Sequence, residues 1–152
     1  MPRNKHSEFE KNLLFFYVGG ARHARDILAD QKIKILSDKK TFNNIKKMTE
    51  LAGNLKESLC AGNLGDTGLI LHEVWRLKKS LSLKISDDKI DHYYKVARKN
   101  GAAGGKLLGA GAAGFLMFYC EKTHQDKLRK SLRDLKQFEF KFDNDGTKII
   151  YS

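Results

Sequence analysis

The chain has 152 residues, of which 41% are hydrophobic and only one is proline, and this composition is typical of a single folded domain with its own core. Cys60 and Cys120 lie far apart without Cys-x-x-Cys spacing, which argues against a zinc site or a disulfide framework. The net charge is +11, but basic residues alternate with acids along every predicted helix, so the charge alone does not indicate nucleic-acid binding.

The chain opens with a predicted strand and a predicted helix. Residues 12–18 are a continuous apolar run of strand length, which follows a frayed start at residues 1–7. Gly19 and Gly20 end this strand. After them, apolar residues recur every three or four positions, which predicts a helix up to about Ile35.

Two longer helices are predicted next. Thr41 is a suitable N-cap, and the apolar stripe that follows it ends near Gly62. The third helix covers residues 66–83, with Leu71 and Trp75 beside its buried stripe. That stripe is predicted to consist of Ile70, Val74, Leu77 and Leu81.

A basic face on the third helix is a candidate for ligand binding. The spacing of His72, Arg76 and Lys79 places them side by side. They do not form a metalloprotease motif, because Arg76 stands where the second histidine is required. Such cations can bind a phosphate while Trp75 packs on the apolar face of a sugar. The alternative is a core tryptophan beside solvated Arg76, Lys78 and Lys79.

The second half of the chain predicts a helix, two strands, a further helix and a hairpin. Ser86, followed by the acids Asp87 and Asp88, begins the first helix, and Gly101 follows its end. Thr123 begins a capping box for the second helix. Residues 138–142 alternate with period two and residues 147–151 return, which predicts a terminal hairpin. The whole order indicates an α+β fold with a mainly antiparallel sheet packed against several helices.

The segment between the two middle strands, residues 101–120, reads GAAGGKLLGAGAAGFLMFYC. Its Gly109-x-Gly111-x-x-Gly114 pattern matches a dinucleotide fingerprint, but that fingerprint must open a helix and strand-forming residues follow here. A P-loop is excluded because Lys106 stands where its second glycine is required. These residue types by themselves predict a tight hairpin between buried strands.

The two cysteines show no disulfide framework, so a reducing cytoplasm is the default location. Residues 1–10 are polar and charged, unlike a signal peptide. The longest uncharged stretch, residues 107–120, is rich in glycine and too short to span a bilayer. We therefore expect a cytoplasmic location and no membrane partner.

Four stretches resemble a known kinase superfamily. Residues 106–116 resemble the third conserved motif of the galactokinase, homoserine kinase, mevalonate kinase and phosphomevalonate kinase superfamily (GHMP kinases), which lies in its C-terminal domain. The resemblance runs from about Glu8 onward, and the His-Glu-x-Trp segment is its most specific part. Three stretches narrow it to the heptose-phosphate kinase branch: residues 12–17 with Gly19, Arg22 and Ala24, residues 71–82, and residues 146–151.

The resemblance implies that residues 1–152 form one GHMP kinase C-terminal domain with a ferredoxin-like arrangement. It implies ATP-dependent phosphorylation of a sugar or heptose phosphate, for nucleotide-sugar and cell-surface polysaccharide precursors. In these kinases an N-terminal domain binds most of the ATP and Mg²⁺. Phosphoryl transfer needs phosphate cradling, Mg²⁺ ligation and nucleophile positioning together. No segment here supplies that set, so we expect no catalytic residue and no metal ligand in this chain, and no activity without a separate N-terminal half.

The same resemblance implies roles for two groups of residues. The loop that would support the nucleotide-binding loop comprises Gly109, Ala110, Gly111, Ala112, Ala113 and Gly114. The residues that would hold the sugar phosphate are Arg22, His72, Trp75, Arg76, Lys78 and Lys79. Arg22 lies at a predicted helix start, where the helix dipole disfavours a cation unless an anion is near.

The alternative function is a non-catalytic basic α+β module that binds a small ligand or RNA. A kinase C-terminal domain should expose residues 109–114 and carry an apolar docking patch beside them. A stand-alone module should bury this loop, and an RNA binder should line a sheet face with aromatic residues. The exposure of the loop therefore separates the two interpretations.

Overall fold

The computed structural model describes residues 2–20, 24–109, 113–143 and 146–147, without the side chains of residues 3, 4, 24–27 and 30. No helix in this described part is both long enough and apolar enough to cross a membrane. The elements in chain order are α1 (Arg3–Asn12), β1 (Leu13–Gly19), α2 (Ala24–Ser37), α3 (Lys39–Cys60), α4 (Thr67–Ser80), α5 (Asp88–Lys99), β2 (Gly104–Leu108), β3 (Gly114–Tyr119), α6 (Lys122–Ser131) and β4 (Lys136–Phe138).

The described strands form one antiparallel sheet in the order β2-β3-β1-β4. β2 and β3 form a hairpin, and β1 lies between β3 and β4. The register pairs Leu14 with Phe118 and Leu107 with Leu116, so apolar residues of neighbouring strands meet on one face. This topology confirms the predicted α+β fold with a mainly antiparallel sheet.

The face of the sheet that carries Leu14 and Phe118 forms the main core. Both residues are at most 2% exposed, and each such burial stabilises the fold by roughly 1.5–3 kcal/mol. The same cluster contains Trp75 of α4, Tyr94 of α5 and Leu128 of α6. These three helices therefore pack together on this face.

The helix α4 lies directly against the edge strand β2 because small residues stand where they cross. A Cβ on Gly104 would lie on the carbonyl oxygen of Gly68, and a Cβ on Gly68 would collide with Ala103. Only glycine permits so close an approach of helix and strand backbones. The contact fixes the position of α4 and its basic residues relative to the β2–β3 hairpin.

The helix α1 replaces the frayed start that the sequence predicted at residues 1–7. The ring of Phe9 stacks on that of Phe142, with centroids 5.9 Å apart. The side-chain amide of Asn12 donates a hydrogen bond of 3.2 Å to the hydroxyl of Tyr119, 107 residues away in sequence. Contacts of such long range stabilise a helix whose own residues give little helical signal.

The predicted terminal hairpin is wrong as far as the structure describes it. The strand β4 covers Lys136–Phe138 rather than residues 138–142, and it pairs with β1. Beyond β4, the ring of Phe140 packs on that of Phe15 with centroids 4.3 Å apart, so aromatic packing replaces strand pairing there. Of the predicted return strand, residues 148–151 lie outside the described residues.

Two helix starts lie earlier than predicted. Asp38 rather than Thr41 caps α3, and its carboxylate accepts hydrogen bonds from the backbone N–H groups of Lys40 and Thr41 at 3.1 and 3.0 Å. Glu121 rather than Thr123 precedes the first residue of α6. Aspartate and threonine are both good N-caps, so residue type alone does not choose between Asp38 and Thr41 at the start of α3. Glu121 makes no side-chain cap hydrogen bond at the start of α6.

Candidate functional site

The glycine segment forms the end of the β2–β3 hairpin. Leu108 and Phe115 are the last pair of the ladder. Gly109 and Gly114 follow with φ of 137° and 111°, values that favour glycine. Gly109 is exposed, whereas Ala113 is buried. The remaining predicted loop residues lie outside the described residues: Ala110, Gly111 and Ala112.

The residues of α4 divide between two faces. Gly68, Leu71 and Trp75 are buried, whereas Ile70 and Val74 of the predicted stripe are only half-buried. Leu77 and Leu81 of that stripe are buried as predicted. The glycine contact with β2 additionally turns the line through Gly68, Leu71 and Trp75 toward the sheet. Trp75 is only 3% exposed, so its ring is part of the core.

A cleft of 290 Å³ opens between α4 and the edge strand β2, next to the glycine hairpin. Trp75 and Lys78 of α4 lie on one side of it and Lys106 of β2 on the other. The residues that line the cleft are Met48, Val74, Trp75, Lys78, Lys106, Leu107, Leu108 and Gly109. Its walls are therefore mainly apolar, with two cations and one indole.

The polar groups of this cleft lack partners. Neither Lys78 nor Lys106 forms an ion pair with any described residue. Burial, and then the nearby charge of Lys106, lower the pKa of Lys78. The indole Nε1 of Trp75 is buried without a hydrogen-bond partner. Such an N–H group normally finds an acceptor, so Trp75 is a lining residue with an unsatisfied donor, and no described carboxylate lines the cleft.

His72 takes part in a hydrogen-bonded link rather than in this cleft. Its Nδ1 lies 2.9 Å from the hydroxyl of Tyr94, which donates to the carbonyl oxygen of Gly105 at 3.2 Å. Because the Tyr94 proton is used in that bond, Nδ1–H of His72 is the donor to Tyr94. Burial, and then the charge of Arg98, lower the pKa of His72, and burial raises the pKa of Tyr94 to about 12. The link joins α4, α5 and β2.

The other two cations of this helix face have carboxylate partners. Arg76 binds Glu73 at 3.0 Å, and Glu73 also binds Lys47 at 3.0 Å. Lys79 binds Asp91 at 2.8 Å. Arg22, the remaining predicted substrate residue, lies outside the described residues. Of the described cations that the sequence singled out, Lys78 alone has no ion-pair partner among the described residues, and it lies in the cleft.

Sequence reasoning missed Lys106 and Tyr94 as site residues. The sequence placed Lys106 as a mismatch to a P-loop and as the first residue of the kinase-like motif, but not as a binding residue. Its position in a strand beside a glycine hairpin is nevertheless visible in the sequence. Its proximity to Lys78 follows from the glycine contact between α4 and β2, which no local pattern reveals. Tyr94 reads as an ordinary member of the α5 stripe.

An aromatic patch lies at the same end of the sheet, next to Gly114. Tyr17 and Phe138 are 41% and 38% exposed. Their ring centroids lie 6.2 Å apart, and Phe115 packs on both at 5.2 and 5.3 Å. Of the described loop residues, Gly109 is exposed, Gly114 is half-buried and Ala113 is buried, so loop exposure does not separate the two interpretations. The patch is an apolar surface beside the loop and also an aromatic sheet surface.

Comparison with known proteins decides the family. Residues 55–138 match the family model described as GHMP kinases C terminal, and this span covers α4, α5, the glycine hairpin, α6 and β4. The chain belongs to this family. The predicted resemblance is confirmed, and the interpretation as an unrelated basic module is not favoured.

The relatives include sugar kinases. The chain is 35% identical over 144 residues to the D-glycero-alpha-D-manno-heptose 7-phosphate kinase of Campylobacter jejuni, covering 93% of this chain and 42% of that protein. A putative sugar kinase from Campylobacter jejuni superposes with a TM-score of 0.61 at 28% identity, over 96% of this chain and 40% of that one. A D-glycero-D-manno-heptose 1-phosphate kinase from Bacteroides thetaiotaomicron superposes with a TM-score of 0.59 at 25% identity, over 100% of this chain and 40% of that one. The chain thus spans less than half the length of these proteins.

Proposed function

We propose that this chain is the C-terminal, substrate-side domain of an ATP-dependent sugar kinase that acts on a heptose phosphate. The observation that carries the proposal is a cleft lined by Lys78, Lys106 and the exposed Gly109, in a chain that matches the GHMP kinase C-terminal family. The sequence identity to a heptose 7-phosphate kinase supports a heptose phosphate as the substrate. Such an enzyme would act in the synthesis of nucleotide-sugar or cell-surface polysaccharide precursors.

In this proposal ATP and Mg²⁺ are held mainly by an N-terminal domain, in the same polypeptide or in a separate one. The loop Gly109–Gly114 supports the nucleotide-binding loop of that domain. The aromatic patch of Tyr17, Phe115 and Phe138 supports docking there, because exposed aromatic side chains next to a site commonly become buried by a partner. This chain contributes binding and positioning, and the chemistry of phosphoryl transfer requires the other domain.

The sugar phosphate is held by α4 and the residues around it. Lys78 is the strongest candidate because its ammonium group has no described carboxylate partner. Arg76 and Lys79 can contribute only by sharing or leaving Glu73 and Asp91. Trp75 and His72 support this helix from the core, and Arg22 remains a proposed contact from the segment after β1.

A chimera tests this function. The chain replaces the C-terminal domain of the Campylobacter jejuni kinase, and ADP release is measured with heptose 7-phosphate, heptose 1-phosphate and unphosphorylated sugars. We expect ADP release that depends on a heptose phosphate. Lys78→Gln should raise the KM for the sugar more than it lowers kcat, whereas Lys127→Gln, an exposed charge on α6, should change neither.

The contradicting result is a folded chimera that binds Mg-ATP and releases no ADP with any of these sugars. Circular dichroism and nucleotide binding establish that the chimera is folded. An equal loss of activity in the Lys78 and Lys127 variants would also contradict the role of α4, because a general effect of charge would then explain both.

A further inference from the structure

We propose that the cleft formed by Trp75, Lys78 and Lys106 is a binding site for a phosphate monoester. The inference deepens the proposed function and rests on it for the identity of the ligand, whereas the binding of phosphate itself can be tested separately. The site requires both α4 and β2, and Lys106 has no role in the function proposed so far.

The first argument is the unsatisfied indole. Trp75 lines the cleft, is 3% exposed, and has an Nε1–H without a hydrogen-bond partner. Leaving a buried donor unpaired costs about 1–3 kcal/mol relative to the paired state. A ligand oxygen that accepts from this nitrogen would recover that loss, and a phosphate presents several such oxygens.

The second argument is the pair of lysines. Lys78 and Lys106 are close enough for the charge of one to act on the other, yet no described carboxylate pairs with either. Two like charges at a partly buried site repel each other, and a dianion between them reverses the sign of that interaction. By contrast, Lys79 and Arg76, one turn or less away on the same helix, have carboxylate partners.

The third argument is shape. The cleft measures 290 Å³ and its other walls are apolar, among them Met48, Val74 and Leu107. A few polar and cationic side chains in a mainly apolar cleft are the usual lining of small-ligand sites. The exposed Gly109 also lines the cleft, at the end of β2.

The chain carries its own reporter, because Trp75 is its only tryptophan. Inorganic phosphate is titrated against the intact chain at constant ionic strength, with chloride as the replaced anion, and Trp75 fluorescence is recorded. We expect a saturable change for phosphate. Lys78→Gln and Lys106→Gln should each weaken phosphate binding about tenfold or more, as expected for loss of a charge-assisted hydrogen bond.

The matched control is Lys127→Gln, which removes the same charge from an exposed position on α6 and should leave the affinity unchanged. Competition identifies the source of the phosphate: displacement by heptose 7-phosphate assigns the site to the sugar, and displacement by ADP assigns it to the nucleotide. The inference is overturned if phosphate gives no saturable change, or if Lys127→Gln weakens binding as much as the cleft variants.

This experiment separates the two proposals. An active chimera with no phosphate response at Trp75 would overturn only the proposal that the cleft binds phosphate. A saturable, Lys78-dependent phosphate response with an inactive chimera would overturn the kinase function alone.

Discussion

The contact between α4 and β2 predicts a large and specific effect of a single methyl group. In Gly104→Ala, the new Cβ would lie on the carbonyl oxygen of Gly68, which belongs to the helix backbone. A flexible side chain could rotate away from such a collision, but a helical carbonyl cannot. The helix and the strand must therefore move apart, and the cleft beside them must change its shape.

The magnitude follows from the atoms involved. Overpacking a well-packed core costs about 1–3 kcal/mol, and a collision between two backbone segments belongs at the upper end, about 3 kcal/mol. For a domain of this size, each kcal/mol lowers Tm by about 2–4 °C, so Gly104→Ala should lower Tm by about 6–12 °C. Because Trp75 lies on the displaced helix, its fluorescence should shift in the folded state as well.

The chain offers an opposite control in Gly53, inside α3, where an added Cβ meets no atom within 4 Å. Gly53→Ala should raise the free energy of unfolding by about 0.5–1 kcal/mol, since alanine is the better helix former. Thermal and urea unfolding measure both variants. A Gly104→Ala chain as stable as the wild type would refute the role of this contact in holding α4.

Three further predictions concern single residues. Tyr94→Phe removes both hydrogen bonds of the His72–Tyr94–Gly105 link and should lower the free energy of unfolding in urea by about 1–3 kcal/mol. The control Tyr93→Phe should not lower it, because the Tyr93 hydroxyl has no described hydrogen bond. Equal losses in the two variants would contradict the stabilising role of the link. The pKa of His72 in the folded chain lies below 6.5, so the unfolded chain takes up the proton first as pH falls. The free energy of unfolding should therefore decrease as pH drops below 6.5. In urea titrations, His72→Gln should reduce the slope of this free energy against pH. An unchanged slope would show that other groups cause it. Cys60 is exposed, whereas Cys120 is buried and its thiol pKa is raised to about 11. A thiol reagent should therefore modify Cys60 rapidly and Cys120 only on unfolding. Rapid modification of both thiols, or a fast phase that persists in Cys60→Ser, would contradict the burial of Cys120.

Local patterns were sufficient for most of the elements. The apolar run that became β1, the three-and-four spacing of α2 and α3, and the strand formers on either side of the glycines all predicted the observed element types. The turn residues alone predicted the β2–β3 hairpin. These features depend on residues that are neighbours in sequence.

The two larger misses in the fold depend on distant residues. α1 is stabilised by Phe142 and Tyr119, and the contact of Phe140 with Phe15 replaces the predicted strand beyond Phe138. These partners are more than a hundred residues apart along the chain, so no window of sequence contains both members of a pair.

The candidate site shows the same division. The sequence singled out Lys78 and the basic residues of α4, but it could not show that Asp91 and Glu73 pair with Lys79 and Arg76. Nor could it place Lys106 across a cleft from Lys78, because that proximity requires Gly68 and Gly104 to touch. Residue types suggested the chemistry, and the pairing of charges between helices decides which cation is available.

Calorimetry on the isolated chain, with Mg-ATP and heptose 7-phosphate in separate titrations, tests the substrate-side assignment most directly. We expect measurable binding of heptose 7-phosphate that is weakened in Lys78→Gln, and no binding of Mg-ATP. Tight binding of Mg-ATP with no binding of the sugar phosphate would contradict it, because the glycine hairpin would then itself hold the nucleotide.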